Sequence, residues 1–487
     1  MSEEVVPLGN IVSNLLYCQP SGQKADGHHP RANDSPDIRM RAVLPEPQTA
    51  AQPALTAMMD TGANPSQQAD SEGGESPVSA IHGNIDTSTR LKANIMYGAL
   101  LYSMLLSGWN DGTTGPLLPR IQAVYHIGFA VVSLIFVLNF LGFLLAASLN
   151  VYLTDRFGFG KVLVLGAISQ VISYAIEAPA PPFPVFIIGY LIQGFGISLQ
   201  LAASNSFVAR YSDNVSTRLA VLHSFYGLGA LSSPLVATQF SQLRYWSFHY
   251  LVSLGLAIVN VAVLSFVFKF RTQDACLTEI GLASQLEEGS NEGSRSKYKQ
   301  MMHLRGFHLM ALFILVYVGT EVTLGGWIVT YVVDLRGGGP SSGYISSGFF
   351  GGLMVGRIAL LWINKLVGEK RVIYLYGVLA IGLEIVVWFV PSLVGDALAV
   401  SFVGMLLGPM YPLVMNHARH VLPPWLLNGC IGWIAGFGQA GSALLPLLTG
   451  LLASKVGIKV LQPLVVSMMG LMVGVWALVP NTPRRHE

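Results

Sequence analysis

Five ionisable side chains stand in stretches of sequence too apolar to offer them water. Asp111 follows Gly108, Trp109 and Asn110 and precedes Gly112, Gly115 and Pro116, while Glu321 is followed by Gly325, Gly326 and Trp327. His223, Arg357 and Glu384 occupy three further apolar runs. An Asp or Arg near the centre of a membrane span costs about 2.5 to 3.5 kcal/mol on insertion scales, so each needs either a partner or a task. A carboxyl at such depth can take up and release a proton as water access alternates. Asp111 and Glu321 therefore have the chemistry of coupling acids, with His223 behind them because imidazole titrates near neutrality. The glycines and Pro116 predict a broken or bent helix beside Asp111. Each of the five could equally be a satisfied structural group.

A second set is polar without net charge. Asn110, Gln200, Asn205 and Gln439 offer amide donors and acceptors, and Trp109, Trp327, Trp433 and Tyr226 offer flat rings on which the apolar face of a pyranose could stack. Together these eight would suit a small neutral polyhydroxyl ligand. Gln170, Gln193 and Asn416 belong to the same inventory, and any of these groups could instead join helices to one another. No acid and base cluster suits nucleotide or peptide recognition. Walker A, GxSxG and HExxH patterns are absent from the sequence, so an enzyme and an ATP-driven pump are not expected, nor is a cofactor. Cys18, Cys276 and Cys430 lack metal-ligand spacing, and His28 with His29 reads as a solvated pair, so no metal is expected.

The elements that must position these groups follow from hydropathy. Of 487 residues, 52% are hydrophobic and 11% charged, and mean hydropathy is +0.53. No soluble interior hides that much apolar surface. Six apolar segments lie between 94 and 270 and six between 307 and 479, all reaching the ~17 to 25 residues a helix needs to cross a bilayer. The sequence thus predicts an all-α membrane protein of twelve transmembrane helices. Its parts are a disordered tail over 1–90, a six-helix bundle over 91–270, a polar linker over 271–304, a second bundle over 305–480 and a short tail over 481–487. Fourteen Lys and Arg fall on the side of the termini and linker against five on the other, which predicts both termini and the linker in the cytoplasm. The sequon at Asn214 would then face the wrong compartment for glycosylation. A net charge of +2 without basic patches excludes a nucleic-acid partner.

The halves repeat in sequence order. A shift of 210 positions lays Phe140 on Phe350, Gly142 on Gly352, Gly158 on Gly368, Lys161 on Arg371 and Asp111 on Glu321. This fits two parallel halves related by an axis along the membrane normal.

With Asp155, Arg156, Phe157, Gly158, Phe159, Gly160 and Lys161 between the second and third spans, and a degenerate copy from Asn364 to Arg371, the chain resembles the major facilitator superfamily from 94 to 479. A leading glycine common in that signature is replaced here by Asn150 or Val151. The resemblance implies a cytoplasmic gate clasp at Asp155, Arg156, Gly158, Lys161 and Arg371, and a central cavity lined by the first, fourth, seventh and eleventh spans. Asn205 together with the run from Leu222 to Ala230 is similar to the fucose and hexose proton-symporter branch, and the long polar N-terminus suits fungal-type members. The implied activity is secondary active transport of a sugar or glycoside by alternating access, with protons as the coupling ion. Partners would be the solute, protons and the lipid bilayer. A monomer is expected, in the plasma membrane rather than a vacuolar or other endomembrane. Competing readings are an exporter of apolar drugs or metabolites, which the bend at Gly227, Gly229 and Pro234 would also permit, and a receptor, scaffold or scramblase on a transporter fold.

Overall fold

The computed structural model describes residues 87–211, 215–282 and 299–480. The tails, most of the linker, His28, His29, Cys18 and Asn214 lie outside the described residues. Twelve helical spans follow one another: α1 Thr87–Tyr125, α2 Phe129–Phe157, α3 Phe159–Glu177, α4 Phe183–Ala209, α5 Val215–Ser241 and α6 Trp246–Phe268 form the first half. The second half comprises α7 Arg305–Arg336, α8 as Pro340–Ala359 with Leu361–Val367, α9 Glu369–Phe389, α10 Leu393–Val421, α11 Pro424–Val456 and α12 Ile458–Leu478. The two pieces of α8 meet at a bend of 54°. No β-strand occurs among the described residues. This is the all-α, two-half architecture expected from the sequence, and it is dictated by the bilayer: a helix satisfies every backbone group internally where no water can.

The repeat is visible in backbone conformation. Gly158 ends α2 and opens α3 with φ 87° and ψ 157°, and Gly368, its match in the second half, ends α8 and opens α9 with φ 88° and ψ 145°. Both donate their amide to the carbonyl four residues back, on Thr154 at 2.9 Å and Asn364 at 3.1 Å. A positive φ of that size is readily open only to glycine, which explains why the signature keeps Gly158 and its degenerate copy keeps Gly368.

One sequence expectation is corrected. The helix does not break beside Asp111: α1 runs through 39 residues, with Pro116 and Pro119 inside it. Neighbouring helices and hydroxyl groups re-satisfy the backbone that a proline frees in a membrane helix. Thr113 Oγ1, one turn before Pro116, donates to the Trp109 carbonyl at 2.8 Å.

The halves meet mainly toward the end opposite the linker, called here the far end. A Cβ on Gly115 of α1 would overlap the carbonyl oxygen of Gly325 on α7. Phe129 and Phe136 of α2 pack on Trp327 of α7, with ring centroids 5.9 and 6.3 Å apart. Gly450 of α11 lies against Ser133. Gln242 Nε2 donates to the Pro340 carbonyl at 3.1 Å, and Gln239 bonds to the Tyr344 hydroxyl. At mid-depth, Gly227 of α5 faces Met354 of α8.

Each half also has its own ties. In the first, a linker helix, Gln273–Glu279, lays Cys276 and Leu277 fully buried against the bundle. Glu279 there accepts Lys92 at 3.2 Å and Arg271 at 2.6 Å. Burial alone would raise the Glu279 carboxyl, but these two cations outweigh it and hold it below its usual range. In the second, Arg336 at the end of α7 pairs with the buried Asp396 of α10 at 3.1 Å and donates to the Tyr331 hydroxyl and the Val387 carbonyl. Removing one partner of such a pair leaves an uncompensated charge. Asp396→Ala is expected to cost on the order of 3 to 5 kcal/mol, measured as a lowered unfolding midpoint in detergent. An unchanged midpoint would deny the pair a structural role.

Candidate functional site

Asp111 and Gly115 lie one helical turn apart on α1, and the 210-residue shift carries them to Glu321 and Gly325 on α7. Because Gly115 touches Gly325, the two equivalent helices cross at equivalent residues. The two acids are therefore brought together one turn toward the linker, on either side of the pseudo-twofold axis, within electrostatic reach of each other. Sequence reasoning had the acids but overlooked the glycine pair, although the same shift contains it.

Their surroundings differ. Asp111 accepts the Tyr226 hydroxyl of α5 at 2.5 Å on one oxygen and the Asn110 amide at 3.2 Å on the other. Both partners are neutral. Glu321 instead lies beside Tyr317 and within the field of Arg357. The Arg357 guanidinium spans the gap between α8 and its neighbours, donating to the His223 carbonyl of α5 at 3.3 Å and the Gly408 carbonyl of α10 at 3.4 Å. Tyr411 of α10 joins the group, its ring 6.5 Å from that of Tyr317. The result is a mid-depth cluster fed by α1, α5, α7, α8 and α10. Arg357 thereby gains a role as bridge between the halves, and Tyr317 and Tyr411 enter as residues that sequence reasoning missed. A tyrosine in an apolar span gives little signal of which way it faces.

The remaining expected ligand-binding residues divide. Tyr226 and Asn110 hold Asp111, as above. Asn205 and Gln439 are partly buried on α4 and α11, and Trp433 is exposed on α11 near Phe437. Three others are enclosed in this conformation. Trp109 is stacked on His249 with its Nε1 donating to Ser253 at 2.9 Å. Trp327 is fully buried between the halves and donates to the Pro446 carbonyl at 3.2 Å. Gln200 is 1% exposed and packs on Gly166 of α3. The two indoles found closer partners inside their own bundles, while Gln200 is placed by packing alone and neither of its amide atoms has a partner, and periodicity in a uniformly apolar helix reveals none of this. At the linker end, Asp155, Arg156, Lys161 and Arg371 are exposed and make no ion pair among the described residues. No metal-binding cluster of His, Cys, Asp or Glu occurs among the described residues.

A family model described as Major Facilitator Superfamily matches residues 100–425. The chain belongs to the Major Facilitator Superfamily. It is an integral membrane transporter by family and not an enzyme. The chain is similar to Bypass of stop codon protein 6 of Saccharomyces cerevisiae, 26% identical over 83% of this chain and 86% of that one. It is 23% identical to a glucose/galactose transporter of Brucella abortus over 78% of this chain and 94% of the relative. Among solved structures, the E. coli fucose:proton symporter aligns with a TM-score of 0.56 and 16% identity, covering 80% of this chain and 99% of that one. That likeness is one of fold.

Proposed function

We propose that this protein moves a small neutral polyhydroxyl solute, a sugar or glycoside, in symport with protons by alternating access. The observation that carries the reading is the pair of equivalent acids at the crossing of α1 and α7, one held by neutral donors and one beside a cation. Glu321 has Arg357 to balance it, so Asp111 is the acid free to exchange its proton with solute and water. Tyr226 and Asn110 bond directly to Asp111, so a solute hydroxyl that displaces either would sense the charge state of the acid. That is a physical route from proton to solute. Asn205, Gln439 and Trp433 complete the proposed lining, and the relatives named for glucose and galactose support a hexose. Uptake of labelled D-glucose, D-galactose and L-fucose into proteoliposomes, with and without an imposed pH gradient, tests the reading. Absence of saturable, gradient-driven uptake would reject it. The enclosure of Gln200, Trp109 and Trp327 favours a second reading, export of apolar solutes, so a hydrophobic cation belongs in the same panel.

With the linker and both termini cytoplasmic, in the plasma membrane, the closed far end and unlatched linker end correspond to an inward-facing state. Asp155, Arg156, Gly158, Lys161 and Arg371 then form the clasp of the opposite, outward-facing state. Asp155→Ala is expected to enlarge the inward-facing population and slow turnover more than it weakens binding. Labelling of cysteines introduced at the linker end should rise accordingly, and unchanged labelling would remove the clasp role.

A further inference from the structure

We propose that Glu177, at the far end of α3, is a second proton site, joined to Asp111 by a buried polar tract through the first half. This rests on the proton-coupled reading above and adds to it a place where a proton waits. Sequence reasoning passed over Glu177 because it stands at the edge of a loop rich in proline. The structure puts it inside: its side chain is fully buried, and a Cβ on Gly189 of α4 would strike its carboxyl.

Glu177 receives one hydrogen bond, from Ser173 Oγ at 3.0 Å, and its Oε2 has no partner. Ser173 and Tyr174 lie four and three residues back, on the same face of α3. The Tyr174 hydroxyl and both amide atoms of Gln193 also lack partners, although the two side chains face each other. Four orphaned polar atoms in one buried cluster, one of them on the carboxyl itself, are more than a native core leaves unpaired, and such clusters hold water. Tyr190, one turn before Gln193 on α4, shares a hydroxyl contact of 3.0 Å with Tyr250 of α6 and lies beside Thr114 of α1. Thr114 is one turn from Asp111, and Tyr174 is within electrostatic reach of Asp111.

The groups facing Glu177 are Ser173 and Tyr174 on α3, Tyr125 from α1, Tyr190 from α4, and Tyr250 from α6 with His249 beside it. No cation pairs with it among the described residues. Each of these hydroxyls can pass a hydrogen bond, and the ring Nε2 of His249 is engaged with Thr113 Oγ1 at 3.0 Å rather than with Glu177. In the step proposed, the Glu177 carboxylate takes a proton from far-side water. It releases that proton along the hydroxyls of the tract, and water held among them, to the Asp111 carboxylate, with the Gln193 amide only orienting them, so that no bond other than O–H is made or broken.

Two measurements test this. Infrared difference spectra of the reconstituted protein, taken as pH is stepped, should lose one titrating carboxyl C=O band in Glu177→Gln, a band that Asp111→Asn keeps. In pyranine-loaded vesicles, proton uptake on adding D-galactose should fall about tenfold in Glu177→Gln, while galactose exchange at equal pH is retained and Glu177→Asp restores uptake. An unaltered band set in Glu177→Gln, or undiminished proton uptake, overturns the proposal. The infrared arm needs no solute, so it decides on Glu177 even if no sugar drives protons. Proton uptake that survives Asp111→Asn would instead strike the coupling reading itself.

Discussion

Asp111→Asn is expected to abolish accumulation of solute against its gradient while leaving exchange across the membrane at equal concentrations. Asparagine has the same shape, and its carbonyl can still accept the Tyr226 hydroxyl that now lies 2.5 Å from the carboxylate. What it loses is the ability to bind and release a proton. Glu321→Gln should behave differently. It leaves the Arg357 guanidinium at mid-depth without the acid that balances it, so binding and folded yield should fall together. His223, whose backbone carbonyl already anchors Arg357, is the third residue in the series. Counterflow and pH-driven uptake measured on the two variants separate these outcomes. An Asp111→Asn protein that still concentrates its solute would remove Asp111 from the coupling role.

Gly115→Val is expected to hold the transporter open at the far end. The atom that a side chain at 115 would meet is a backbone oxygen, Gly325 O, which has no rotamer by which to move aside. Overpacking of this kind costs about 1 to 3 kcal/mol, which is roughly five- to 150-fold in a conformational equilibrium. The cost applies only when α1 and α7 close on each other. Ser133 provides the readout: it is fully buried and lies against Gly450 in the far-end seam. A single cysteine there should resist an impermeant maleimide in the parent and react in the Gly115→Val protein, with turnover falling in proportion. Gly255 on α6, where an added Cβ meets nothing within 4 Å, is the matching control and should change neither. Continued protection of position 133 would mean that the α1 and α7 crossing is not the closing contact.

Hydropathy and the 210-residue repeat made the spans, their number and the pairing of Asp111 with Glu321 legible, because a bilayer leaves the backbone little choice and a duplicated half shows in shared turns. Gly158 and Gly368 carried the clearest signal, since one backbone conformation demanded the same residue twice. The site was only partly legible. In a soluble helix an apolar stripe tells which face is buried, but a membrane helix is apolar on every side, so Gln200 gave no sign that it turns to α3 and Trp327 none that it seals the seam. Pro116 and the glycines were read as a break or a bend because a proline removes a backbone bond, yet α1 continues through them as one helix. Glu177 was legible as a residue and illegible as a buried one, since its burial depends on a glycine in another helix.

The position of Trp327 gives the protein a built-in optical signal. Of eight tryptophans, this one lies at full burial between phenylalanines of the opposite half. When the seam parts, its indole passes from an aromatic nest to water and its emission must shift to the red, a change that disappears in Trp327→Phe while any signal from the other seven indoles remains. Stopped-flow fluorescence of the unlabelled protein, with Trp327→Phe as the blank, would then time each swing of the two halves directly, before the identity of the cargo is known.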